Sequence, residues 1–396
     1  MAVAVTAAGF AVFTLLYAPQ PLLPHLAESF GLRPGGASLA VSVSTAAVAV
    51  GVLPLAALSE LVGRRPVMYC SVFGAVLVAA ACAFAPNYPV LLVLRAVLGI
   101  AVAGLPATAM AYLAERLDGT GRGIALGALV SGNSMGGMSG RLLAGVSYDW
   151  VGWRGALGAT AGLAVLAAVV FVIALPGRDP VATGRSGGIF TGLRTALARP
   201  VLLAQYAVAA LAMGSFVALY NSAGFRLTSE PLALAPAVAS LVFVSYAAGT
   251  FTSPVAGRLA ERHGRAPVVL AGLAVTLAGI ALTLPDVVWP IAIGFVVLTA
   301  GFFGAHSAAS GWVGAAAPAD ARGQASGFYQ CAYYAGGSVG GTAGTAVYGQ
   351  FGWAALVAVV AVWLLIAAAG IVLVALNYGW RARPVFAGAP HPVESR

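Results

Sequence analysis

Long apolar stretches alternate with short polar segments along the whole chain. A helix that crosses the roughly 30 Å hydrocarbon core of a bilayer needs about 20 apolar residues, and twelve stretches of about this length occur in the sequence. They occupy residues 2–24, 37–58, 66–86, 90–114, 123–146, 154–175, 200–222, 236–256, 267–285, 289–314, 324–347 and 353–376. The pattern predicts an all-α membrane protein with twelve transmembrane helices.

The polar segments repeat along the chain. Segment 58–68 reads LSELVGRRPVM, and segment 259–269 reads LAERHGRAPVV, 201 positions further on. Further matches at an offset of 200 positions are Arg122 and Arg322, Gly136 and Gly336, Gly140 and Gly340, Tyr148 and Tyr348, and Trp153 and Trp353. The repeat predicts two homologous halves of six helices. Because six is even, both halves enter the membrane in the same orientation, as two parallel, pseudo-symmetric six-helix bundles.

The expected domain organisation has four parts. An N-terminal six-helix bundle at 1–175 is followed by a cytoplasmic linker at 176–199, a C-terminal six-helix bundle at 200–376 and a cytoplasmic tail at 377–396. The linker is rich in Gly, Arg and Thr, whereas the tail is polar and rich in Pro. Both compositions are typical of connecting or terminal segments.

Small residues recur at four-residue spacing in the fifth and eleventh apolar stretches. These stripes are Gly132, Gly136, Gly140 and Ala144, and then Gly336, Gly340 and Gly344. A stripe of small residues lets two helix backbones approach closely. We expect close packing at both stripes, and we place them at the interface between the two halves.

Composition excludes a soluble protein, because 61% of the residues are hydrophobic and only 8% are charged. The formal net charge of +9 does not indicate a nucleic-acid partner, since the arginines concentrate on alternate polar segments. Only Arg33, Arg154 and Arg226 lie on the other side of the predicted membrane. The positive-inside rule therefore places both termini in the cytoplasm. No metal or cofactor is predicted, because the three cysteines lie within apolar stretches and lack the spacing of metal ligands.

The repeated polar segments resemble the Gly-x-x-x-Asp-x-x-Gly-Arg-Arg signature of the major facilitator superfamily. The second copy has Glu261 at the Asp position, and the first has Ala56 and Glu60 at the Gly and Asp positions. Arg95-x-x-x-Gly99 is a further resemblance. Together these motifs imply the major facilitator fold over essentially the whole chain.

Segment 132–137 reads GNSMGG and is similar to the antiporter signature of that superfamily, with Asn133 at a position where Pro is usual. Among subfamilies, the chain looks most like the bacterial twelve-helix efflux permeases of the drug and sugar-efflux branch. The resemblance implies a multi-pass protein of the bacterial inner membrane.

Acidic and basic residues at the ends of predicted helices are candidate gating residues. They are Glu60, Arg64, Arg65, Glu115, Glu261, Arg262 and Arg265. Carboxylate and guanidinium groups at these positions can pair across the turns and latch the cytoplasmic side. The alternative is a set of solvated turns with weak surface pairs. We favour the latch because the pattern occurs in both halves.

Arg95 and Arg141 lie within predicted helices, about 8–9 Å below the outer surface at 1.5 Å per residue. An ionised group at that depth either snorkels to the interface along its aliphatic stem or faces a polar cavity. We favour the cavity for both residues.

No Asp or Glu falls in the middle of any predicted helix. Proton-coupled antiporters for cationic drugs commonly use a buried carboxylate, so we expect a neutral, zwitterionic or anionic solute. Within the predicted helices, His306 is the side chain that titrates near neutrality. We therefore consider His306 and Arg95 as proton-coupling residues. A hydrogen-bonded packing role is the alternative for the histidine.

The first, fourth, seventh and tenth helices line the central path in the resembled family, and the fifth and eleventh adjoin it. The candidate substrate-binding residues on these helices are Tyr17, Gln20, Arg95, Asn133, Arg141, Tyr220, Asn221, His306, Gln330, Tyr333 and Tyr334. Aromatic rings with a few hydrogen-bonding groups fit a mid-sized organic ligand. Tyr17 and Tyr220 would alternatively belong to the interfacial aromatic belt. Asn133 and Tyr333 occupy equivalent positions in the two repeats and rank highest.

These observations predict a secondary active transporter that moves a small organic solute by alternating access, with proton-coupled efflux as the favoured direction. The expected partners are the solute, a proton and the lipid bilayer, and we expect a monomer. An uptake symporter or a facilitator remains an alternative, and a membrane solute sensor is a more distant one. An enzyme is not expected, because His306, Ser307 and Ser310 share one predicted helix without a matching base elsewhere.

Overall fold

The computed structural model of the protein describes residues 1–117, 119–175, 194, 196–318 and 321–378. The described residues are predominantly helical, and none of them belongs to a β-strand. Most of the predicted linker at 176–199 and of the predicted tail at 377–396 lies outside the described residues.

The helices follow one another through short connections. In chain order they are α1 (Ala2–Leu16), α2 (Leu23–Phe30), α3 (Pro34–Val62), α4 (Arg64–Cys82), α5 (Tyr88–Arg116), α6 (Gly119–Ala174), α7 (Pro200–Thr228), α8 (Pro236–Ser240), α9 (Tyr246–His263), α10 (Arg265–Leu282), α11 (Val288–Ala316) and α12 (Arg322–Tyr378). A 3-10 helix at Gln20–Leu22 lies between α1 and α2, and another at Leu241–Ser245 lies between α8 and α9.

Ten helical stretches in the described part of the chain are long and apolar enough to cross a membrane. Two of them lie within α6 and α12, which have 56 and 57 residues. Each helix would extend roughly 84 Å at 1.5 Å per residue, but each is broken at a glycine, Gly152 (φ 63°, ψ −177°) or Gly352 (φ 80°, ψ −174°). The all-α membrane architecture is confirmed. Twelve crossings require that α6 and α12 each cross twice, and that count stays a prediction.

Two predicted helices are interrupted in the structure. The predicted first helix at 2–24 ends as α1 at Leu16 and resumes as a 3-10 helix at Gln20, because Pro19 and Pro21 lack the N–H group that a continuous helix needs. The predicted eighth helix at 236–256 is divided among α8, a 3-10 helix and α9. Both interruptions place polar or aromatic side chains at the middle of the protein.

The repeated turns have the same backbone conformation in both halves. Gly63 joins α3 to α4 with φ 94° and ψ 151°, and Gly264 joins α9 to α10 with φ 94° and ψ 155°. These angles favour glycine because a Cβ atom would clash. We call the end of the molecule with these two turns the Gly63 face, and the opposite end, which carries Gly152 and Gly352, the Gly152 face.

The small-residue stripes pack helices together within each half. A Cβ atom at Gly136 of α6 would lie 2.2 Å from the carbonyl oxygen of Phe10 in α1, and one at Gly336 of α12 would lie 2.2 Å from the carbonyl oxygen of Ala210 in α7. The predicted close packing is therefore confirmed. Its predicted location between the two halves is wrong, because both helices of each contact belong to the same half.

A different pair of helices joins the halves along much of their length. Ser338 of α12 donates to the carbonyl oxygen of Ser42 in α3 at 2.7 Å, and Thr342 donates to the hydroxyl of the same serine at 2.7 Å. Further toward the Gly63 face, the thiol of Cys331 donates to the carbonyl oxygen of Ala49 at 3.2 Å. The interface between α3 and α12 is thus polar and continuous.

Candidate functional site

Three polar side chains form a hydrogen-bonded bridge between the halves. Arg141 of α6 donates from Nε to Oε1 of Gln20 at 2.5 Å, and Gln20 donates from Nε2 to Oδ1 of Asn221 in α7 at 2.8 Å. A guanidinium only donates hydrogen bonds, so Gln20 must turn its oxygen toward Arg141 and its nitrogen toward Asn221. The three side chains are 2%, 1% and 0% exposed. We call Arg141, Gln20 and Asn221 the bridge.

Aromatic rings from both halves enclose the Arg141 guanidinium. Its central carbon lies 4.3 Å from the ring centroid of Tyr17, 4.4 Å from that of Tyr246 and 5.6 Å from that of Phe243. Tyr17 follows α1 in the first half, whereas the other two rings come from the interrupted helix of the second half. Each cation–π contact is worth about 0.5–2 kcal/mol, so the rings hold the cation between the halves.

Arg141 has unused hydrogen-bonding capacity. Its Nη1 donates to the carbonyl oxygen of Gly137 at 2.7 Å, and its Nη2 donates to no residue that the structure describes. Among the described residues, no carboxylate forms an ion pair with Arg141. The site thus holds a buried cation without a protein counter-charge.

The second half has no equivalent of this cation. Position 341, which corresponds to Arg141 at the offset of 200, is a glycine. Nδ2 of Asn221 lies 3.3 Å from the position that a Cβ atom would take at Gly341, and that nitrogen has no hydrogen-bond partner among the described residues. The centre of the protein is therefore asymmetric in charge despite its repeated architecture.

Arg95 does not reach an open cavity in this structure. The side chain is 2% exposed. Nε donates to the carbonyl oxygen of Ala40 at 2.7 Å, Nη1 donates to that of Leu15 at 3.0 Å, and Nη2 donates to that of Leu16. The last two carbonyls end α1, where the helix leaves backbone oxygens without partners. Arg95 therefore ties the broken end of α1 to α3 and α5, and the expectation that it lines a polar cavity does not hold here.

Tyr17 and Tyr220 are both buried, so the alternative of an interfacial aromatic belt is wrong for them. The Tyr220 hydroxyl contacts the hydroxyls of Ser245 and of Thr299, the second at 2.6 Å. These partners all belong to the second half. Tyr220 therefore braces the second half from inside, whereas Tyr17 contacts Arg141 at the centre.

His306 lies in α11 against an aromatic group from α12. Its Nδ1 is 3.0 Å from the hydroxyl of Tyr329, and its ring centroid is 4.8 Å from that of Tyr333. The ring also stacks with Phe302 at 6.0 Å and an interplanar angle of 12°. Tyr334, which is 2% exposed, lies edge-on to Tyr333 with centroids 5.3 Å apart.

Four predicted residues remain half-buried on the Gly63 side of the bridge. They are Asn133, His306, Gln330 and Tyr333, which we call the middle group. Oδ1 of Asn133 has no hydrogen-bond partner among the described residues and lies beside Gly9, where a Cβ atom would be only 2.3 Å away. The glycine therefore leaves room for this carboxamide next to α1.

The halves close together near the Gly152 face. A Cβ atom at Gly145 of α6 would lie 2.3 Å from the Cβ atom of Ser240 in α8, and the buried bridge lies next to this contact. The middle group keeps its exposure on the other side. The bridge and this contact therefore join the halves near the Gly152 face, while the middle group stays partly exposed on the other side of the bridge.

The predicted gating residues pair in only one half of the described structure. Arg64 lies 3.2 Å from Glu115 and 3.6 Å from Glu60, and it also donates to the hydroxyl of Ser59 at 2.5 Å. Arg65 donates to the Tyr69 hydroxyl at 3.2 Å.

In the second half, Glu261 and Arg262 are exposed, Arg265 is half-buried, and none of the three forms an ion pair with another described residue. The turn is duplicated, but its ion pairs are not.

Phe243 and Tyr246 were not predicted as site residues. They lie in the interrupted part of the predicted eighth helix, and none of the repeated motifs includes them. The break between α8 and α9 is what brings both rings to Arg141.

Comparison with known proteins gives a consistent result. The family model described as Major Facilitator Superfamily matches residues 5–244 and 216–394. Inner membrane transport protein YnfM of Escherichia coli is 39% identical over 366 residues, which cover 92% of this chain and 88% of the relative. The uncharacterized MFS-type transporter YybF of Bacillus subtilis is 36% identical over 363 residues, which cover 91% of this chain and 90% of the relative.

More distant similarities extend to a resistance protein and to solved structures. A chloramphenicol resistance protein of Streptomyces lividans is 29% identical over 281 residues, covering 69% of this chain and 68% of that protein. A bacterial homolog of the human lysosomal transporter Spinster, in an inward-facing and unoccupied conformation, has a TM-score of 0.79 at 16% identity and covers 97% of this chain and 98% of that one. A point mutant of the nucleoside transporter NupG has a TM-score of 0.76 at 15% identity, covering 94% of this chain and 99% of that one. At these low sequence identities, the two solved structures show that this chain has the same fold as they have.

Proposed function

Because the chain belongs to the Major Facilitator Superfamily and is a multi-pass membrane transporter rather than an enzyme, we propose that it moves a small organic solute by alternating access, in exchange for protons. The bridge is the observation that carries this proposal. It joins the halves near the Gly152 face, while the middle group keeps partial exposure on the other side of the bridge.

The contacts of the bridge are of a strength that a transport cycle can break and remake. A neutral hydrogen bond contributes about 0.5–1.5 kcal/mol, and a cation–π contact about 0.5–2 kcal/mol. Breaking the bridge and the rings around it therefore costs a few kcal/mol, which is the range of free-energy differences between populated conformations. Opening of the Gly152 face would separate Gln20 from Asn221.

The charge of the site favours neutral, zwitterionic or anionic solutes over simple cations. Arg141 is buried at the centre, and no carboxylate among the described residues neutralises it. In a medium of low dielectric, a second cation near this group would be repelled strongly. The middle group supplies neutral hydrogen-bonding groups beside it.

His306 is our proposed proton-coupling residue, since it is half-buried and hydrogen-bonded to Tyr329 within the middle of the protein. Protonation of its ring would change that hydrogen bond and add a charge on the solvent-accessible side of the bridge. For Arg95 we propose a positioning role instead of proton coupling, because three backbone carbonyls hold its guanidinium.

We place the protein in the bacterial inner membrane as a monomer, with the Gly63 face and both termini in the cytoplasm. The arginine distribution supports this orientation, and the name of the E. coli relative supports the location. The similarity to a chloramphenicol resistance protein supports efflux as the direction.

Alternating access can be tested without knowing the solute. Spin labels at Ser29 and Ser229, which are exposed on the Gly152 face, report the separation of the halves there, and labels at Leu61 and His263 report it on the Gly63 face. The native cysteines Cys70, Cys82 and Cys331 are replaced by serine beforehand. Pulsed electron spin resonance should reveal a second population in which the first distance is longer and the second shorter. Distances that stay single and fixed in lipid over all pH values would contradict alternating access.

Coupling and direction require a flux measurement. Proteoliposomes with an imposed proton gradient are given neutral, zwitterionic, anionic and cationic organic compounds, and the gradient is then reversed. We expect a non-cationic compound to move in the direction opposite to the protons. Its flux should reverse when the proton gradient is reversed. Preferential transport of a lipophilic cation would contradict the proposed solute class, and flux in the same direction as protons would indicate symport.

A further inference from the structure

Resting on the proposed function, we propose that the solute is an aromatic carboxylate, that Arg141 binds its carboxylate, and that aromatic side chains of the second half bind its ring. The carboxylate would also release the bridge. Solute class and the opening of the Gly152 face would then depend on the same guanidinium.

The Arg141 guanidinium has no anionic partner among the residues that the structure describes. Burial of an ionised group without a counter-charge is costly, and the cation–π contacts with Tyr17, Tyr246 and Phe243 offset only part of that cost. Nη2 of Arg141 donates to no described residue. A carboxylate is the anion whose two oxygens match the planar fork of a guanidinium.

One edge of the Arg141 guanidinium is open to an incoming carboxylate. Nη1 is held by the carbonyl oxygen of Gly137, which leaves the edge formed by Nε and Nη2. At present, Nε donates to Oε1 of Gln20. A carboxylate on this edge would replace that oxygen as the acceptor and free Gln20 from Arg141. Because Gln20 also holds Asn221 of the other half, binding would remove the fixed orientation that the bridge gives to this contact.

The rings of the second half form a continuous chain of contacts that leads away from Arg141. Tyr246 lies 5.4 Å from Phe216, measured between ring centroids, and Phe216 lies 4.0 Å from Phe302. These three rings are buried. From Phe302 the contacts continue to His306 at 6.0 Å and to Tyr333 at 6.5 Å.

We call Phe216, Tyr246, Phe302, His306 and Tyr333 the aromatic wall. Its last two members keep partial exposure and can accept a stacked ring. The wall begins at the cation and ends in the accessible middle of the protein. A molecule with an acidic group at one end and a flat ring at the other matches this arrangement of charge and surface.

The experiment uses matched triples of compounds with the purified full-length protein at pH 7.5. Each triple consists of an aromatic carboxylate, its primary amide and its fully hydrogenated acid, and the three triples are built on one, two and three fused rings. Binding is measured by the ligand-dependent rise in thermal stability and by equilibrium dialysis. In at least one triple, the aromatic acid should bind about 10-fold or more tightly than the amide, as expected for the loss of charge-assisted hydrogen bonds. It should also bind more tightly than the hydrogenated acid.

Two variants test the proposed roles of Arg141 and Gln20, and a third variant serves as the control. Arg141→Gln should remove the preference for acid over amide. Gln20→Glu keeps the arginine but supplies the missing anion from the protein, so it should weaken binding of the acid and leave binding of the amide. The matched control is Arg154→Gln, since Arg154 lies 4.2 Å from the ring of Trp153 in the same way but is exposed at the Gly152 face. The control should retain the preference of the wild type.

The outcomes separate this inference from the proposed function. If no triple shows a preference for the aromatic acid, or if the wild-type preference survives in Arg141→Gln or in Gln20→Glu, the inference is wrong, whatever the spin-label distances show. If the acid binds with the expected preference but the spin-label distances stay fixed and no flux occurs, Arg141 and the rings bind an aromatic carboxylate, whereas the release of the bridge and the transport proposal are both wrong. Nitrate serves as the inorganic probe. Equal stabilisation by nitrate and by the aromatic acids would also overturn the inference, because it would show a site for any anion.

Discussion

Gln20 and Asn221 belong to different halves of the chain, and the carboxamide of the first donates to that of the second at 2.8 Å with both side chains fully buried. Asn221→Ala removes the acceptor and leaves Nε2 of Gln20 without a partner. We expect the closed Gly152 face to lose about 1–3 kcal/mol of stabilisation, which is roughly a 5- to 150-fold change in the ratio of conformations. The Ser29 and Ser229 spin-label distance should shift toward its longer population.

The control for this experiment is Thr228→Ala, because among the described residues the Thr228 hydroxyl bonds only to the carbonyl oxygen of Gly224 in its own helix. It should leave the distance distribution unchanged. An Asn221→Ala distribution identical to that of the control would show that the bridge does not hold the halves together.

Arg95→Leu should reduce stability more than it changes solute choice. The substitution would strand the carbonyl oxygens of Ala40, Leu15 and Leu16, which accept hydrogen bonds from the guanidinium. An unsatisfied buried polar group costs about 1–3 kcal/mol, so the loss in unfolding free energy should exceed about 3 kcal/mol. Thermal unfolding in detergent measures it. Normal stability together with altered solute preference would instead return Arg95 to the pathway.

Gly136→Ala should be far more destabilising than Gly162→Ala, although both residues belong to α6. The added methyl group at Gly136 would lie 2.2 Å from the backbone oxygen of Phe10, whereas nothing lies within 4 Å of the corresponding position at Gly162. The first change must separate α1 from α6, and the second should be neutral or stabilising by up to about 1 kcal/mol, since alanine favours helices over glycine. Equal unfolding temperatures would show that the helices adjust without cost.

Gly63→Ala and Gly264→Ala should have similar effects, because both glycines have φ 94° and nearly equal ψ angles. A side chain in this backbone region costs about 1–3 kcal/mol. Gly257→Ala is the control, as no atom lies within 4 Å of its added methyl and its φ is not positive. Thermal unfolding of the three variants should rank the control as the most stable. A stable Gly63→Ala variant would mean that the turn can adopt another conformation.

His306→Gln should separate binding from coupling. Glutamine retains hydrogen-bonding capacity near Tyr329 but cannot take up a proton near neutral pH. Loss of the imidazole ring should weaken solute binding without abolishing it, because Arg141 and Tyr333 remain, while flux no longer follows the proton gradient. His263→Gln is the control because His263 is exposed at the Gly63 face. Unchanged gradient dependence in the proteoliposome assay would remove His306 from the coupling scheme.

Repetition in the sequence predicted the architecture well. The turns at Gly63 and Gly264 and the stripes through Gly136 and Gly336 recur at fixed offsets, and local backbone geometry at each follows from the residue type alone. The helix that faces each stripe is a long-range property, which is why the stripes were placed at the wrong interface.

The burial of side chains and the interruption of two helices determine which residues form the site. Neither property can be read from the apolar stretches of the sequence. Arg95 and Arg141 have equivalent depths in the sequence pattern, yet one is held by backbone carbonyls and the other by rings and Gln20. That difference arises because one helix is interrupted after Leu16 in the first half and another before Tyr246 in the second half. The roles assigned to the middle group stay predictions that the flux and binding measurements address.

Arg141 in the first repeat corresponds to Gly341 in the second, so the centre of this repeated protein carries the cation of the bridge on one side only. A guest with one acidic end would have only one way to lie there, with that end toward the first half. A centre with matching residues in both repeats would instead offer such a guest two equivalent orientations.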